Sequence, residues 1–210
     1  DTFKSYNYGW GATVPYQYLR YLQLYGKEIK DQVTFNSGQF VYIAIEDHLN
    51  RAYGSSNKFW LLDSPYYSIK NNSELFFNGT FRKNRPITTF IYNLLNRFEY
   101  IKKNGIDYPK IGNSQYELFC SIIKEMKKEI ALNLPTYKFI IVNHPKSSIR
   151  KEYLTCIKSH ATLIEFNYNE LASKMPDFNN KLKYSFADGH PNALFNDNFS
   201  KLLFEKLKSL

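Results

Sequence analysis

Strand-like apolar runs alternating with amphipathic helical runs predict an α/β protein built on an open, mainly parallel sheet covered on both faces. Two stretches carry this expectation. Gln39-Phe40-Val41-Tyr42-Ile43-Ala44-Ile45 and Tyr137-Lys138-Phe139-Ile140-Ile141-Val142 are nearly continuous apolar runs, as strands buried on both faces require. Chain length is the third observation. With 210 residues, of which 43% are hydrophobic and 18% aromatic, residues 1–210 read as one domain able to bury a sizeable core.

Taken in order, Phe3 to Tyr8 alternates like a strand, Gly9 and Gly11 break it, and Thr13 with Pro15 opens a helix. That helix is expected to turn Tyr18, Leu19, Leu22 and Tyr25 inward and to stop at Gly26. Glycine-bearing turns between strand and helix can leave backbone N–H groups facing a ligand, the raw material of an oxyanion hole; the alternative is that Gly9 and Gly11 serve only the tight turn. The apolar run at 39–45 reads as a central parallel strand and ends in Glu46-Asp47-His48-Leu49-Asn50-Arg51. Ionisable groups at a buried strand's carboxyl end either face a cleft or pair with each other; Asp47 capping a helix and pairing with Arg51 is the equal alternative.

Residues of about 59–82 read as a small β excursion interrupting the α/β rhythm, with Asn71-Asn72 as its hairpin turn. Its aromatic side chains either pack on the domain or wall a groove that grips a sugar. From about Thr88 to Lys103 a helical pattern carries Ile91, Leu94, Leu95, Phe98 and Ile101, expected as one scaffold helix. Ser114-x-x-Glu117 reads as a capping box for a helix with Leu118, Ile122, Met126 and Ile130 on one face. After the strand at 137–142, His144 falls on a loop, Ile149 to Ser159 reads as a helix and Ala161 to Phe166 as a strand. The last helix runs from about Ala193 to Lys208, with Phe195, Phe199, Leu202, Leu203 and Leu207 on one stripe. The expected architecture is a flavodoxin-like three-layer α/β/α with a small β-hairpin insertion.

Lys and Arg number 28 against 19 Asp and Glu, a net charge of +9 that favours acidic partners. The basic residues are scattered, mostly where helices face water, so the expectation is a solvated basic surface without a nucleic-acid partner. No apolar run approaches the roughly 18 residues of a membrane span, which excludes a transmembrane segment among the expectations. Two cysteines make no disulfide framework, and both are expected reduced or buried.

Three short segments fall where such a sheet builds its site, beyond the carboxyl ends of its strands. They are Tyr6-Asn7-Tyr8-Gly9-Trp10-Gly11, Ile45-Glu46-Asp47-His48 and Tyr184-Ser185-Phe186-Ala187-Asp188-Gly189-His190-Pro191-Asn192. An acid two residues before a His, on a turn ahead of a helix, either brings carboxylate and imidazole together as a base and its orienter or is a turn or cap residue beside a solvated loop His. In this order the segments resemble the later blocks of the SGNH (GDSL-like) hydrolase and O-acyltransferase superfamily, in its bacterial branch. The resemblance implies His190 as general base and Asp188 as its orienter, with Gly9, Gly11, Ala12, Asp47 and His48 around the oxyanion and substrate. It implies no cofactor and no metal, and an acylated glycan or lipid as substrate.

The chain departs from the pattern in three places. No Gly-Asp-Ser occurs in it, so the serine nucleophile is expected upstream, with any targeting segment to the bacterial cytoplasm or envelope. Ala12 replaces the usual second-block Gly but keeps its N–H, and Asp47 stands where the third block often has Asn; an ionised Asp47 cannot donate, so either His48 substitutes or that part of the oxyanion hole differs. Three readings follow: a serine esterase or O-acyltransferase, a non-catalytic carbohydrate-binding relative, and an anionic-surface or nucleic-acid binder if the basic residues converge on one face.

Overall fold

The computed structural model describes residues 4–8, 14–56, 62–70, 74–145, 151–185 and 190–210. Over these the chain runs α1 (Pro15–Gln32), β1 (Gly38–Ala44), α2 (Asp47–Tyr53), β2 (Pro65–Lys70), β3 (Glu74–Thr80), α3 (Phe81–Asn84), α4 (Pro86–Leu95) and α5 (Glu99–Lys103). It continues through α6 (Asn113–Asn133), β4 (Tyr137–Asn143), α7 (Lys151–His160), β5 (Thr162–Ile164), α8 (Tyr168–Lys174), α9 (Lys181–Tyr184) and α10 (Ala193–Lys208).

The fold is mixed α/β, with a parallel sheet in the order β1-β4-β5 and a separate antiparallel pair β2-β3. β1 and β4 pair in register from Gly38 with Tyr137 to Ala44 with Asn143. Successive side chains of a strand alternate between faces, and the two faces feed different cores. Tyr42, Ala44, Phe139 and Ile141 join one core with α1, α2, α6, α7 and the hairpin. Ile140, Val142 and Ile164 join another with α8 and α10. The expected central strand at 39–45 is, among the described residues, an edge strand; β4 is central. On β1, Ile43 is 41% exposed, which a periodicity of apolar residues alone does not reveal.

Several expectations are corrected. Residues 4–8 form no strand; Tyr6 and Tyr8 instead bond by their hydroxyls to Thr34 and Gln32 at the far end of α1, both at 3.0 Å. Phe3 and the turn at Gly9 lie outside the described residues. α1 does not stop at Gly26 but runs six residues further, leaving Tyr25 exposed. Gly26 is there for close approach: a Cβ on it would come within 2.4 Å of the Asn133 side chain on α6. A glycine in mid-helix costs about 1 kcal/mol in propensity, which tertiary packing overrides.

α6 starts one residue before the expected box, and its first turn is held by Gln115, whose Oε1 accepts the Gly112 N–H at 2.8 Å. Cys120 on α6 and Cys156 on α7 are joined as a disulfide, their Cα atoms 5.8 Å apart. The separate cysteines expected from composition fail because two helices 36 residues apart in sequence pack side by side, a juxtaposition composition does not report.

The hairpin insertion is present, with Tyr67 and Phe81 buried against the first core. Tyr67 donates to Gln23 Oε1 of α1 at 2.9 Å, so these aromatics pack on the domain. The turn at Asn71-Asn72 lies outside the described residues. The expected scaffold helix at 88–103 is instead two helices, α4 and α5, broken at Asn96-Arg97-Phe98. Neither core contains a residue of either one.

What holds α4 is polar. Arg85, just ahead of it, donates to the Tyr53 carbonyl at 2.8 Å and sits over the rings of Tyr53, Tyr66, Phe81 and Tyr92 at 5.3 to 5.8 Å. A guanidinium both stacks on rings and donates in plane, which an ammonium on a flexible stem does not. Arg85→Ala is therefore expected to cost about 2–3 kcal/mol of stability, with Arg85→Lys recovering less than half. Urea melts of the three proteins check this; equal midpoints would remove Arg85 from the account of how α4 is anchored.

Candidate functional site

Strand ends come together at one edge of the sheet. β1 ends at Ala44 and β4 at Asn143, which pair in register, and the His144 N–H donates to the Ala44 carbonyl at 3.0 Å. Directly after β1 come Asp47 and His48, in the first turn of α2. The start of α10 reaches the same edge: the His144 ring lies against Phe195 and Phe199, with centroids 5.4 and 5.5 Å away.

The turn preceding α10 is closed at both ends. Ser185 and Pro191 form an antiparallel bridge, and the Asn192 N–H donates to the Tyr184 carbonyl at 3.2 Å. Asn192 also caps α10, its Oδ1 accepting the Phe195 N–H at 3.0 Å while its Nδ2 donates to the Lys183 carbonyl at 2.9 Å. An Asn in this position satisfies one of the four orphan N–H groups of the helix start. The expected last helix is thus seen over its whole length, and its first buried residue, Phe195, ties the turn to β4. His190 is exposed on that turn. Asp188 lies outside the described residues, as do Gly9, Gly11 and Ala12.

Asp47 forms an i,i+4 ion pair with Arg51, Arg51 Nε lying 2.5 Å from Asp47 Oδ2. The residue ahead of it, Glu46, holds the N-cap position without a side-chain cap bond. A pair so placed supports α2 by a few tenths of a kcal/mol, about 0.2–0.5.

His48 is 7% exposed. Its Nδ1 meets the Tyr42 hydroxyl, and the Ile45 N–H points to the same atom at 3.5 Å. Burial, and then the nearby Arg51 charge, push the imidazole down to about 3, with Asp47 opposing. Burial also holds the Tyr42 hydroxyl well above the usual phenol range. Both directions keep the pair neutral, so Tyr42 donates to Nδ1 and the ring proton sits on Nε2. The sequence contains no local sign of this contact, because it joins a strand residue to a helix residue through the fold.

Asn143 escapes a motif-based reading, and Asn192, which closes the third segment, receives no role from it. Asn143 Oδ1 is buried at the end of β4 with no hydrogen-bond partner among the described residues; the signal for it is the single polar residue closing an apolar run. For Asn192, the signal is an N-cap residue just ahead of an apolar stripe. Among the described residues no group of three or more His, Cys, Asp and Glu could hold a metal ion, and no helix is long and apolar enough to cross a membrane. No family model, no curated protein and no solved structure matches this chain.

The depressed His48 value sets a pH dependence. Its folded value, about 3, lies below the ordinary 6.5, so between those values the unfolded chain binds the extra proton. Stability is then fully present above about pH 6.5 and falls as the pH drops, by up to about 1.4 kcal/mol per pH unit. His48→Gln does not titrate and can still accept from Tyr42. Stability measured from pH 7 to 4 is expected to fall more steeply for the wild type than for His48→Gln; parallel profiles would show that His48 is not held neutral.

Proposed function

We propose that this chain is part of an SGNH-type serine esterase or O-acyltransferase with a flavodoxin-like sheet, acting on an acylated carbohydrate or lipid. His190 is the general base, Asp188 orients it, and a serine outside these residues is the nucleophile. The observation that carries this reading is the tie between the His190 turn and the strand ends. Ser185 and Pro191 close the turn, and Phe195 rests on His144 directly after β4. Open α/β sheets bind ligands at that edge. Among the described residues β1 pairs on one side alone, with β4, and its other edge suits one more parallel strand, as the flavodoxin-like order requires.

The chemistry assigned to these residues is acyl transfer. As the serine Oγ bonds to the ester carbon, His190 takes the Oγ proton and returns it to the departing alkoxide; a water or acceptor hydroxyl then repeats the sequence in reverse. Backbone N–H groups at Gly9, Gly11 and Ala12 are the proposed oxyanion donors. His48 is a weaker member of that set, since it is buried on Tyr42, although its Nε2–H tautomer is the one an oxyanion contact requires. Asp47 is engaged by Arg51, and its assigned part in substrate binding rests on the resemblance alone.

In the full-length protein, His190→Ala is expected to lower kcat on a short-chain aryl ester by about three orders of magnitude or more with an unchanged thermal midpoint. Asp188→Asn should cost as much or less, and the double variant little beyond the worse single one, because members of one catalytic unit are not additive. His144→Ala should instead cost about 1–3 kcal/mol of stability, since its ring packs on two phenylalanines, with kcat retained per folded molecule. Near-normal turnover in His190→Ala, or a full-length gene without an upstream serine, would leave the non-catalytic carbohydrate-binding reading in its place.

A further inference from the structure

α4 is amphipathic in the reverse sense to a core helix. Ile87, Phe90, Ile91 and Leu94 follow the spacing of one helical face, and Phe98 continues it past the break. That face points to solvent: Ile87 is 75%, Phe90 68% and Phe98 54% exposed, with Ile91 and Leu94 close to half exposed. The inward face is polar. Thr89 and Asn96 are buried, Asn96 Nδ2 donates to the Ser56 carbonyl, and Ser56 Oγ in turn donates to Asp107 Oδ1 at 3.1 Å. The helix is therefore fixed to the domain by directional polar contacts while its large apolar side chains are left outside. A contiguous apolar patch on a soluble surface marks an interaction site.

Charge decides between occupants. Residues 82–103 contain six basic residues, Arg82, Lys83, Arg85, Arg97, Lys102 and Lys103, against the single acid Glu99. Arg82, Lys83, Arg97 and Lys103 are exposed and bracket the apolar face at both ends. Arg82 also pairs with Asp63, at 2.8 Å, and Arg85 is engaged inward. A second copy packed face to face would bring these like charges together. An anionic lipid surface meets both features at once, taking the apolar side chains at the headgroup boundary and the cations at the phosphates.

We infer that the α4–α5 segment is an interfacial docking element, which seats the protein on an anionic bilayer with Ile87, Phe90, Ile91, Leu94 and Phe98 immersed and the flanking basic residues at the headgroups. This inference is independent of the assignment of Asp188 and His190, which lie outside residues 82–103.

The test is co-sedimentation of the full-length protein with phosphatidylglycerol/phosphatidylcholine vesicles and with phosphatidylcholine vesicles, alongside sedimentation velocity without lipid. Binding to the anionic vesicles is expected to be at least tenfold tighter than to the neutral ones. The Phe90→Ser/Leu94→Ser variant should lose tenfold or more while keeping its far-ultraviolet circular dichroism and thermal midpoint, and Arg97→Glu/Lys103→Glu should lose a similar amount. Binding to anionic vesicles that the Phe90→Ser/Leu94→Ser change leaves untouched would overturn the inference, since it is then adsorption by overall charge. So would the absence of vesicle binding, or a lipid-free dimer that this variant dissociates, which assigns the face to a second copy.

Discussion

The parallel ladder between β1 and β4 is the constraint from which the rest follows. A parallel pair cannot be closed by a short turn, so the chain between Ala44 and Tyr137 has to leave the sheet and return. Its side chains project to both faces, and both have to be covered for the apolar runs to be stable in water. α1, α6 and α7 cover one face and α8 and α10 the other. Covering the second face brings the chain back from its last turn, through Phe195, onto the end of β4. Phe195 is fully buried, and truncating such a residue costs about 3–5 kcal/mol. The same side chain that completes a core therefore sets where the His190 turn stands.

Elements whose partners are dictated by their own composition are legible in the sequence. The runs at 39–45 and 137–142 read as strands from their apolar, β-branched and aromatic content, and the last helix has a Pro-Asn start and a clear stripe, so β1, β4 and α10 are found within a residue or two, although β1 is an edge strand and only β4 is central. The hairpin is legible for the same reason. Elements defined by a neighbour are not. Gly26 reads as a stop signal until Asn133 is seen beside it. Cys120 and Cys156 become a pair only once α6 and α7 pack together. Short helices such as α8 and α9 carry too little periodicity to be distinguished from loops.

Site residues divide along the same line. That Asp47, His48 and His144 follow strands is a matter of chain order, and chain order places them at the carboxyl edge. What each side chain does there depends on facing. Tyr42 points to the first core because it is in phase with Ala44, and His48 points there because α2 lays Leu49 and Ala52 against the same core. Two polar groups thereby meet in an apolar setting, and burial resolves the pair into a neutral donor and acceptor. Four ionisable residues within the six of 46–51 read as one cluster. In the fold, Asp47 and Arg51 form one pair while His48 turns away to Tyr42.

α4 shows where periodicity alone misleads. A repeating apolar stripe establishes that a helix has two unlike faces, but burial of the stripe is an inference from the usual case. Here the opposite face carries Thr89, Tyr92 and Asn96, with Arg85 just ahead; Arg85 and Asn96 find the carbonyls of Tyr53 and Ser56 at the end of α2, Thr89 that of Phe81 on α3, and Tyr92 lies under the Arg85 guanidinium. Burying such polar groups is favourable only when their hydrogen bonds are made, so the inward face specifies one orientation strongly. The apolar stripe has no comparable directional demand and follows to the outside. Both facts come from one sequence feature, the polar positions interleaved between Ile87 and Phe98. Those positions fix the helix on the domain while leaving its apolar side chains to another surface.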